Sequence, residues 1–137
     1  MTATSDRVRS DLDLVPFDYV ILRAAPRIQR GEFVNVGAVL YCRALDFLGA
    51  AWDVEPNRLK ALDPAVDVDV VCASLEHIRA ICAGEPDGGP AAATRIGERF
   101  RWLAAPRSTV VHPGPIHSGL TNNPAADLDR LVDAFVR

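Results

Sequence analysis

The sequence has few of the residues on which disulfide-rich and metal-dependent folds rely. Three cysteines, Cys42, Cys72 and Cys82, occur in 137 residues without a C-x-x-C spacing, so neither a disulfide framework nor a zinc knuckle is predicted. His112 and His117 flank the sequence PGPI, but a zinc site needs three or four ligands and no third one lies nearby in sequence. We therefore expect no bound metal, cysteines that pack as small apolar residues in or near the core, and a reducing, cytoplasmic environment.

Long apolar runs and phosphate-binding glycine loops are also missing. No apolar stretch approaches the ~20 residues that span a bilayer, and the N-terminal stretch MTATSDRVRSDLDLVP lacks the apolar core of a signal peptide. Neither GxxxxGK[ST] nor GxGxxG occurs, which excludes nucleotide binding through those motifs and leaves no cofactor to predict. These absences predict a soluble protein that does not associate with membranes.

The charge balance is slightly acidic, with a formal net charge of −3 at pH 7, whereas general binding of double-stranded DNA requires a clear basic excess. Lys60 is the single lysine among 15 basic residues. That bias reflects either GC-rich coding or a demand for planar, bidentate donors. A chain of this length buries roughly two thirds of its unfolded surface, and we expect a mobile tail over residues 1–15 and a single domain over residues 16–137.

The first regular element is a β-hairpin, predicted over residues 17–27 and 33–43. Apolar side chains recur there at every second position, which indicates strands. Between them, Gln29-Arg30-Gly31 has the form of a three-residue loop with glycine in the left-handed conformation. This loop sets a register in which Ala24 lies opposite Val36, and the even-numbered residues of both strands then form one apolar face.

The remaining elements complete an α+β fold class. Changes between alternating and helical spacing of apolar residues, together with proline and asparagine at helix starts, mark their positions. We predict a third strand at 47–54, helices at 56–62, 93–104 and from 123 onward, a short strand at 108–112, and an irregular segment, HPGPIHSG. A further helix ends at Gly84, and either Asp67 or Asp69 caps its start. The sheet is antiparallel, the helices pack on one face, and the C-terminal helix docks through Leu128, Leu131 and Phe135.

Asn35 and Gly37 interrupt the second strand with residue types that a strand buried on both faces avoids. In the predicted register, Arg23 lies opposite Gly37. Under one interpretation, Gly37 admits a neighbouring backbone and Asn35 ties down a crossing segment. Under the other, Arg23, Arg27 and Asn35 line a polar groove that binds an anion or a partner's carboxylate.

A second polar cluster is predicted in the sequence RSTVVHPGPIHSG. Arg107, Ser108 and Thr109 place a guanidinium and two hydroxyls where a helix gives way to a strand, which favours an anion-binding concavity. The alternative is that Arg107 pairs with a helix carboxylate and Ser108 caps a turn. If the following strand joins the sheet, this cluster and His117 reach the rim of the sheet beside Arg23.

Three ordered segments of the chain resemble a known bacterial family. They are FDYVILRAAPRIQRGEFVNVGAVLYC, RLKALDP and ERFRWLAAPRSTVVHPGPIHSGLTNNPAADLDRLVDAFV, and together they are similar to domain of unknown function 3037. The resemblance implies no reaction, cofactor or catalytic residue. It does imply a context, because members of this family are often encoded beside a HipA-like kinase. Elements typical of the family are Arg30-Gly31-Glu32, Asn35 with Gly37, Trp102, Pro106 to Thr109, and His117.

Two classes of function follow. The first is a non-enzymatic regulatory or companion subunit of a neighbouring HipA-like kinase, which needs a binding surface but no activated nucleophile. The second is a small anion-, nucleotide- or nucleic-acid-binding domain, or an enzyme acting on a phosphate-bearing ligand. In that class Arg23, Arg27, Arg107 and His117 supply the electrostatic and acid/base groups. A stable complex with the kinase favours the first class, and turnover by the isolated chain favours the second.

Overall fold

Five strands form one antiparallel sheet in residues 13–137, the part of the chain that this computed structural model describes. Residues 1–12 of the predicted tail lie outside the described residues, and its last residue already belongs to the first strand. The strands are β1 Val15–Ala24, β2 Val34–Cys42, β3 Phe47–Trp52, β4 Val111–Pro113 and β5 His117–Thr121.

Four α-helices of the described residues cover this sheet. They are α1 Pro56–Leu62, α2 Val68–Ala83, α3 Ile96–Ala104 and α4 Pro124–Phe135. The ends of α2 follow from local chemistry, because the Asp67 carboxylate accepts a hydrogen bond from the Val70 amide and Gly84 ends the helix in the left-handed conformation. At the start of α4, the Asn123 side chain accepts from the Ala126 amide in the same way.

Strand β1 lies in the middle of the sheet and is paired along both edges. On one edge it pairs with β2; on the other, β5 pairs with Val15–Tyr19 and β4 with Leu22–Ala24. Between β4 and β5, the Gly114 amide donates to the Ile21 carbonyl at 2.8 Å. The segment HPGPIHSG, predicted to be irregular, therefore contributes residues to both β4 and β5 at this edge. Edge strands tolerate proline because one side of their backbone makes no sheet hydrogen bonds.

The sheet is buried on both faces. Helices α1, α2 and α3 cover one face through Leu59, Leu75 and Phe100, which pack with Val20 and Leu22 of β1. Helix α4 covers the other face, where its buried side chains pack against β1 and β2; this cluster includes Phe17, Ala38, Leu40, Leu128 and Val132. Each fully buried valine, leucine or phenylalanine side chain stabilises the fold by about 1.5–3 kcal/mol.

The predicted hairpin register is wrong, although both strands form. We expected Ala24 opposite Val36, and the structure pairs Ala24 with Val34. The reason is the connection: residues 25–33 link the strands through a 3-10 turn instead of a three-residue loop. Gly31 does adopt the left-handed conformation, with φ of 70°, but a longer connection does not fix the register as a tight loop does.

A β-bulge in β2 gives this strand apolar side chains on both faces. Leu22 pairs with Gly37, and the next residue, Arg23, pairs with Asn35, so Val36 is an extra residue in the ladder. Side chains alternate between faces along a strand, and one extra residue exchanges the faces beyond it. The even-numbered residues of the two strands consequently do not form one apolar face.

Most other expectations for the fold agree with the structure. The α+β class, the antiparallel sheet led by the N-terminal hairpin and the docked C-terminal helix are confirmed. The late strand begins at Val111 instead of residue 108, and α3 begins at Ile96 because a 3-10 turn occupies Pro86–Ala93. Helix α4 lies on the face opposite the other helices, and Phe135, in its last turn, is 48 % exposed instead of buried.

Gly37 is required by the close approach of β3. A Cβ atom at this position would lie 2.6 Å from the Ala51 carbonyl oxygen and 2.8 Å from the Trp52 Cβ. Both atoms are held by the backbone, so we expect Gly37→Ala to lower the free energy of unfolding by about 1–3 kcal/mol in urea denaturation. The control is Gly97→Ala, whose Cβ would meet the ends of side chains and no backbone atom of another element, with the Tyr41 hydroxyl nearest at 3.0 Å. Equal destabilisation by the two substitutions would contradict this account.

The burial of α4 predicts unequal costs for its apolar side chains. Leu128 is 6 % exposed, whereas Phe135 is 48 % exposed. Leu128→Ala should lower the free energy of unfolding by about 2–5 kcal/mol. Phe135→Ala should cost much less, because half of that side chain is already in water. Urea denaturation measures both, and similar losses for the two variants would show that α4 docks through a different face.

Candidate functional site

A row of polar side chains crosses the sheet where helix α4 ends. Arg23 in β1 pairs with Asn35 in β2 on one edge and with His112 in β4 on the other, so the three side chains share one face. At the end of α4, the Asn35 Nδ2 donates to the Phe135 carbonyl at 3.1 Å and satisfies an orphan acceptor of the last turn. The face is therefore apolar beneath α4 and polar beyond it.

The Arg23 guanidinium is held in place but not fully hydrogen-bonded. Its Cζ lies 4.2 Å from the centre of the Phe33 ring, a cation–π contact. Gly114 leaves space beside it, since a Cβ there would lie 3.1 Å from the Arg23 Nε. The Nε atom is buried and has no hydrogen-bond partner within residues 13–137. A buried, unsatisfied donor costs about 1–3 kcal/mol, and more when it is charged.

Two clefts meet at Arg23. The first, the Asn35 cleft, has a volume of about 200 Å³. Its polar and aromatic lining residues are Tyr19, Arg23, Asn35, His117 and Phe135. The second, the Arg107 cleft, has a volume of about 230 Å³. Its polar and aromatic lining residues are Arg23, Phe33, Arg107, Ser108 and His112.

Arg107 closes the C-terminal end of α3. Its Nη2 donates to the Trp102 carbonyl, its Nε donates to the Ala105 carbonyl at 3.3 Å, and its Cζ lies 5.2 Å from the centre of the Trp102 ring. The arginine thus binds helix carbonyls, and the alternative in which it pairs with a helix carboxylate is wrong. Ser108 is exposed and lines the Arg107 cleft.

The other predicted residues divide between the clefts and their surroundings. His117 lines the Asn35 cleft, with its ring 5.4 Å from that of Tyr19. The Thr109 hydroxyl donates to a carbonyl two residues further along the chain, and Arg27 forms an ion pair with Asp63 at 3.4 Å. Neither of these two residues lines the Asn35 cleft or the Arg107 cleft. Five of the predicted residues line one of the two clefts or both. Arg23 lines both, Asn35 and His117 line the Asn35 cleft, and Arg107 and Ser108 line the Arg107 cleft.

The acidic residue closest in sequence to Phe33 has a partner of its own. The Arg30 Nε donates to the Glu32 Oε1 at 2.6 Å, and this hydrogen bond holds the pKa of Glu32 below its usual value. Glu32 is therefore charged at neutral pH and paired with Arg30. Within residues 13–137, no carboxylate forms an ion pair with Arg23.

The cysteines are divided between the core and the surface. Cys42 and Cys82 are buried, but Cys72 is exposed, so the expectation that all three pack in or near the core is wrong for Cys72, which lies on the solvent side of α2. Burial raises the pKa of the Cys82 thiol to about 12, and this thiol is protonated at neutral pH.

Two further observations concern metals and membranes. In residues 13–137, no three His, Cys, Asp or Glu side chains are grouped so as to hold a metal ion. None of the helices in this part of the chain has both the length and the apolar character needed to cross a membrane.

Sequence reasoning missed three residues that shape the site. His112 joins it through cross-strand pairing with Arg23, which depends on the register and has no motif. Phe33 lies one residue before β2 and two positions from Asn35, and the period-two alternation of an extended chain was the available signal. Gly114 stands between two prolines, a dipeptide context that marks a turn or a close backbone approach.

Comparison with known proteins extends the sequence resemblance to nearly the whole sheet. A family described as a protein of unknown function (DUF3037) matches residues 19–136, which include all or part of every strand described above. No curated protein and no solved structure matches the chain. The match covers well over half of the 137 residues, and the family expected from the three sequence segments is confirmed. The chain belongs to the DUF3037 family of proteins of unknown function.

Proposed function

We propose that the chain is a companion subunit that binds an acidic group of a partner protein at Arg23, and that the partner is a HipA-like kinase. The observation that carries this proposal is the buried Arg23 Nε donor, which has no hydrogen-bond partner within residues 13–137. A carboxylate or phosphate binds a guanidinium through two adjacent N–H groups. A small rotation of the Arg23 side chain toward such a group in either cleft gives the Nε–H an acceptor. Binding then forms the hydrogen bond that the Nε–H lacks in the folded chain.

The arginine is ordered before a ligand arrives. The Phe33 ring lies 4.2 Å from its Cζ, and its backbone is fixed by pairing with β2 and β4. An arginine side chain loses about 2 kcal/mol of rotamer entropy when it is immobilised, and here that loss occurs on folding. A preorganised donor binds its partner more tightly because this cost does not recur on binding.

The sizes of the two clefts favour an acidic group on a larger partner. Their volumes are about 200 Å³ and 230 Å³, whereas pockets for whole small molecules usually measure about 300–1,000 Å³. Each of these two clefts by itself has the size for a carboxylate or a single phosphate group. This comparison supports recognition of an acidic group over enclosure of a whole free nucleotide.

The choice of a HipA-like kinase rests on the resemblance to the family, whose members are often encoded beside one. The second class of function, a domain or enzyme acting on a phosphate-bearing ligand, uses the same arginines. Affinity for the kinase and turnover by the isolated chain distinguish the two classes.

Arg23→Met tests the proposal. Methionine retains much of the contact with the Phe33 ring and removes the unsatisfied donor, so the free energy of unfolding should stay within about 1 kcal/mol of wild type. Affinity for a HipA-like kinase encoded in the same genome, measured by titration calorimetry, should fall by roughly 1.5–3 kcal/mol, or about 10- to 150-fold. That loss is expected when a hydrogen bond to a charged group is removed.

Arg43→Met is the matched control. It removes the same charge from an exposed residue that lines neither cleft, and it should bind the kinase as wild type does. Wild-type affinity of the Arg23→Met variant would contradict the proposal. Turnover of a phosphorylated substrate by the isolated chain, without a kinase complex, would favour the second class of function.

A further inference from the structure

From the two clefts at Arg23, on the side where α4 ends, further clefts follow around the β4 edge of the sheet to helices α2 and α3 on the other face. Arg107 is shared by the Arg107 cleft and a third one of about 420 Å³, the Ser74 cleft, which also contains Thr109. His77 is shared by the Ser74 cleft and a fourth one of about 460 Å³, the Trp102 cleft. Each cleft therefore shares a lining residue with the next. We call the four clefts together the furrow.

The furrow is free of carboxylates. The chain has 18 acidic and 15 basic residues, yet no Asp or Glu of residues 13–137 lines any of its four clefts. Its lining does include Arg23, Arg107 and all three histidines, His77, His112 and His117. Such a surface on a chain of net charge −3 is electrostatically complementary to an acidic ligand.

Large apolar side chains are exposed along the same path. Trp102 is 54 %, Val70 50 % and Phe33 41 % exposed, and each lines one of the four clefts. Trp102 points away from the core side of α3, where Phe100 and Leu103 are buried. Tryptophan and arginine are enriched among the residues that dominate binding energy at protein interfaces. The furrow thus presents both arginine side chains and exposed apolar side chains to a ligand.

The number of cations favours a peptide over a nucleic acid. A single-stranded nucleic acid carries a charge at every nucleotide, and the grooves that bind it follow its backbone with many basic residues. The furrow has only two arginines among the described residues, and Arg107 also binds the end of α3. An extended peptide whose carboxylates are separated by apolar side chains is complementary to this surface. Its carboxylates face the two arginines, and its apolar side chains face the clefts beside them.

We infer that the furrow binds an extended acidic segment of a partner protein, and this inference rests on the function proposed for Arg23. One carboxylate of the segment binds Arg23, a second lies near Arg107, and an aromatic or large aliphatic side chain occupies the Trp102 cleft. The partner is thereby defined by its chemistry: an acidic stretch that also carries an apolar anchor.

A displayed library of random peptides tests this inference. Peptides of about twelve residues, which span roughly 40 Å when extended, are selected against the immobilised full chain. Enriched peptides should carry at least two acidic residues and one aromatic or large aliphatic residue. An enriched peptide, labelled with fluorescein, should lose about 10-fold or more in affinity on Trp102→Ala and on Arg23→Met, measured by anisotropy on variants whose melting curves match wild type.

Leu120→Ala is the matched control, because Leu120 is 61 % exposed and lines none of the four clefts; it should bind like wild type. A peptide that needs Arg23 but binds the Trp102→Ala variant at wild-type affinity would overturn the furrow and leave the role of Arg23 intact. A peptide unaffected by Arg23→Met would contradict both proposals. Enrichment of neutral or basic peptides, or of no peptide, would overturn the inference. If an oligouridylate of about twelve nucleotides bound more tightly than the enriched peptide, the inference would also be overturned, and the furrow would be assigned to single-stranded nucleic acid.

Discussion

The pairing of β1 along both edges is the constraint on which the rest of the structure depends. β2 occupies one edge, β4 and β5 share the other, and the two faces are buried by different helices. A central strand of this kind has its backbone polar groups satisfied by its neighbours. The pairing is interrupted near Arg23 on both sides, by the extra residue Val36 in β2 and by residues 114–116 between β4 and β5.

These interruptions place a polar site on an otherwise apolar sheet. Bulges re-aim side chains and are common beside functional sites, and here Arg23 faces the side on which α4 ends. Its nearest neighbours include the Phe33 ring and Gly114, and neither position has a side-chain oxygen to accept from the Nε. A charged donor left unsatisfied in this way weakens the fold. Under the proposed function, a ligand for Arg23 offsets that cost.

Local patterns in the sequence predicted local structure well and long-range pairing poorly. Helix α4 begins after Asn123 as expected, and α2 begins after Asp67, one of the two expected caps, because a cap involves residues within one turn. The hairpin register depended on the longer connection and on the bulge in β2. Strand β5 depended on pairing with β1, which is far away in sequence, and alternation does not encode such pairing. In the site, Arg23 and Asn35 could be recognised as polar residues in an apolar hairpin, but His112 joins them only through tertiary pairing.

The central claim is that the Arg23 guanidinium has a free donor that binds an acidic group. The Nε–H signal of Arg23 in a proton–nitrogen correlation spectrum, assigned by its loss in the Arg23→Met variant, reports on this donor directly. Inorganic phosphate titrated into the wild-type chain at constant ionic strength should move this proton downfield in a saturable way and slow its exchange with water, and chloride should not. A signal at the same position in phosphate and in chloride would contradict the account.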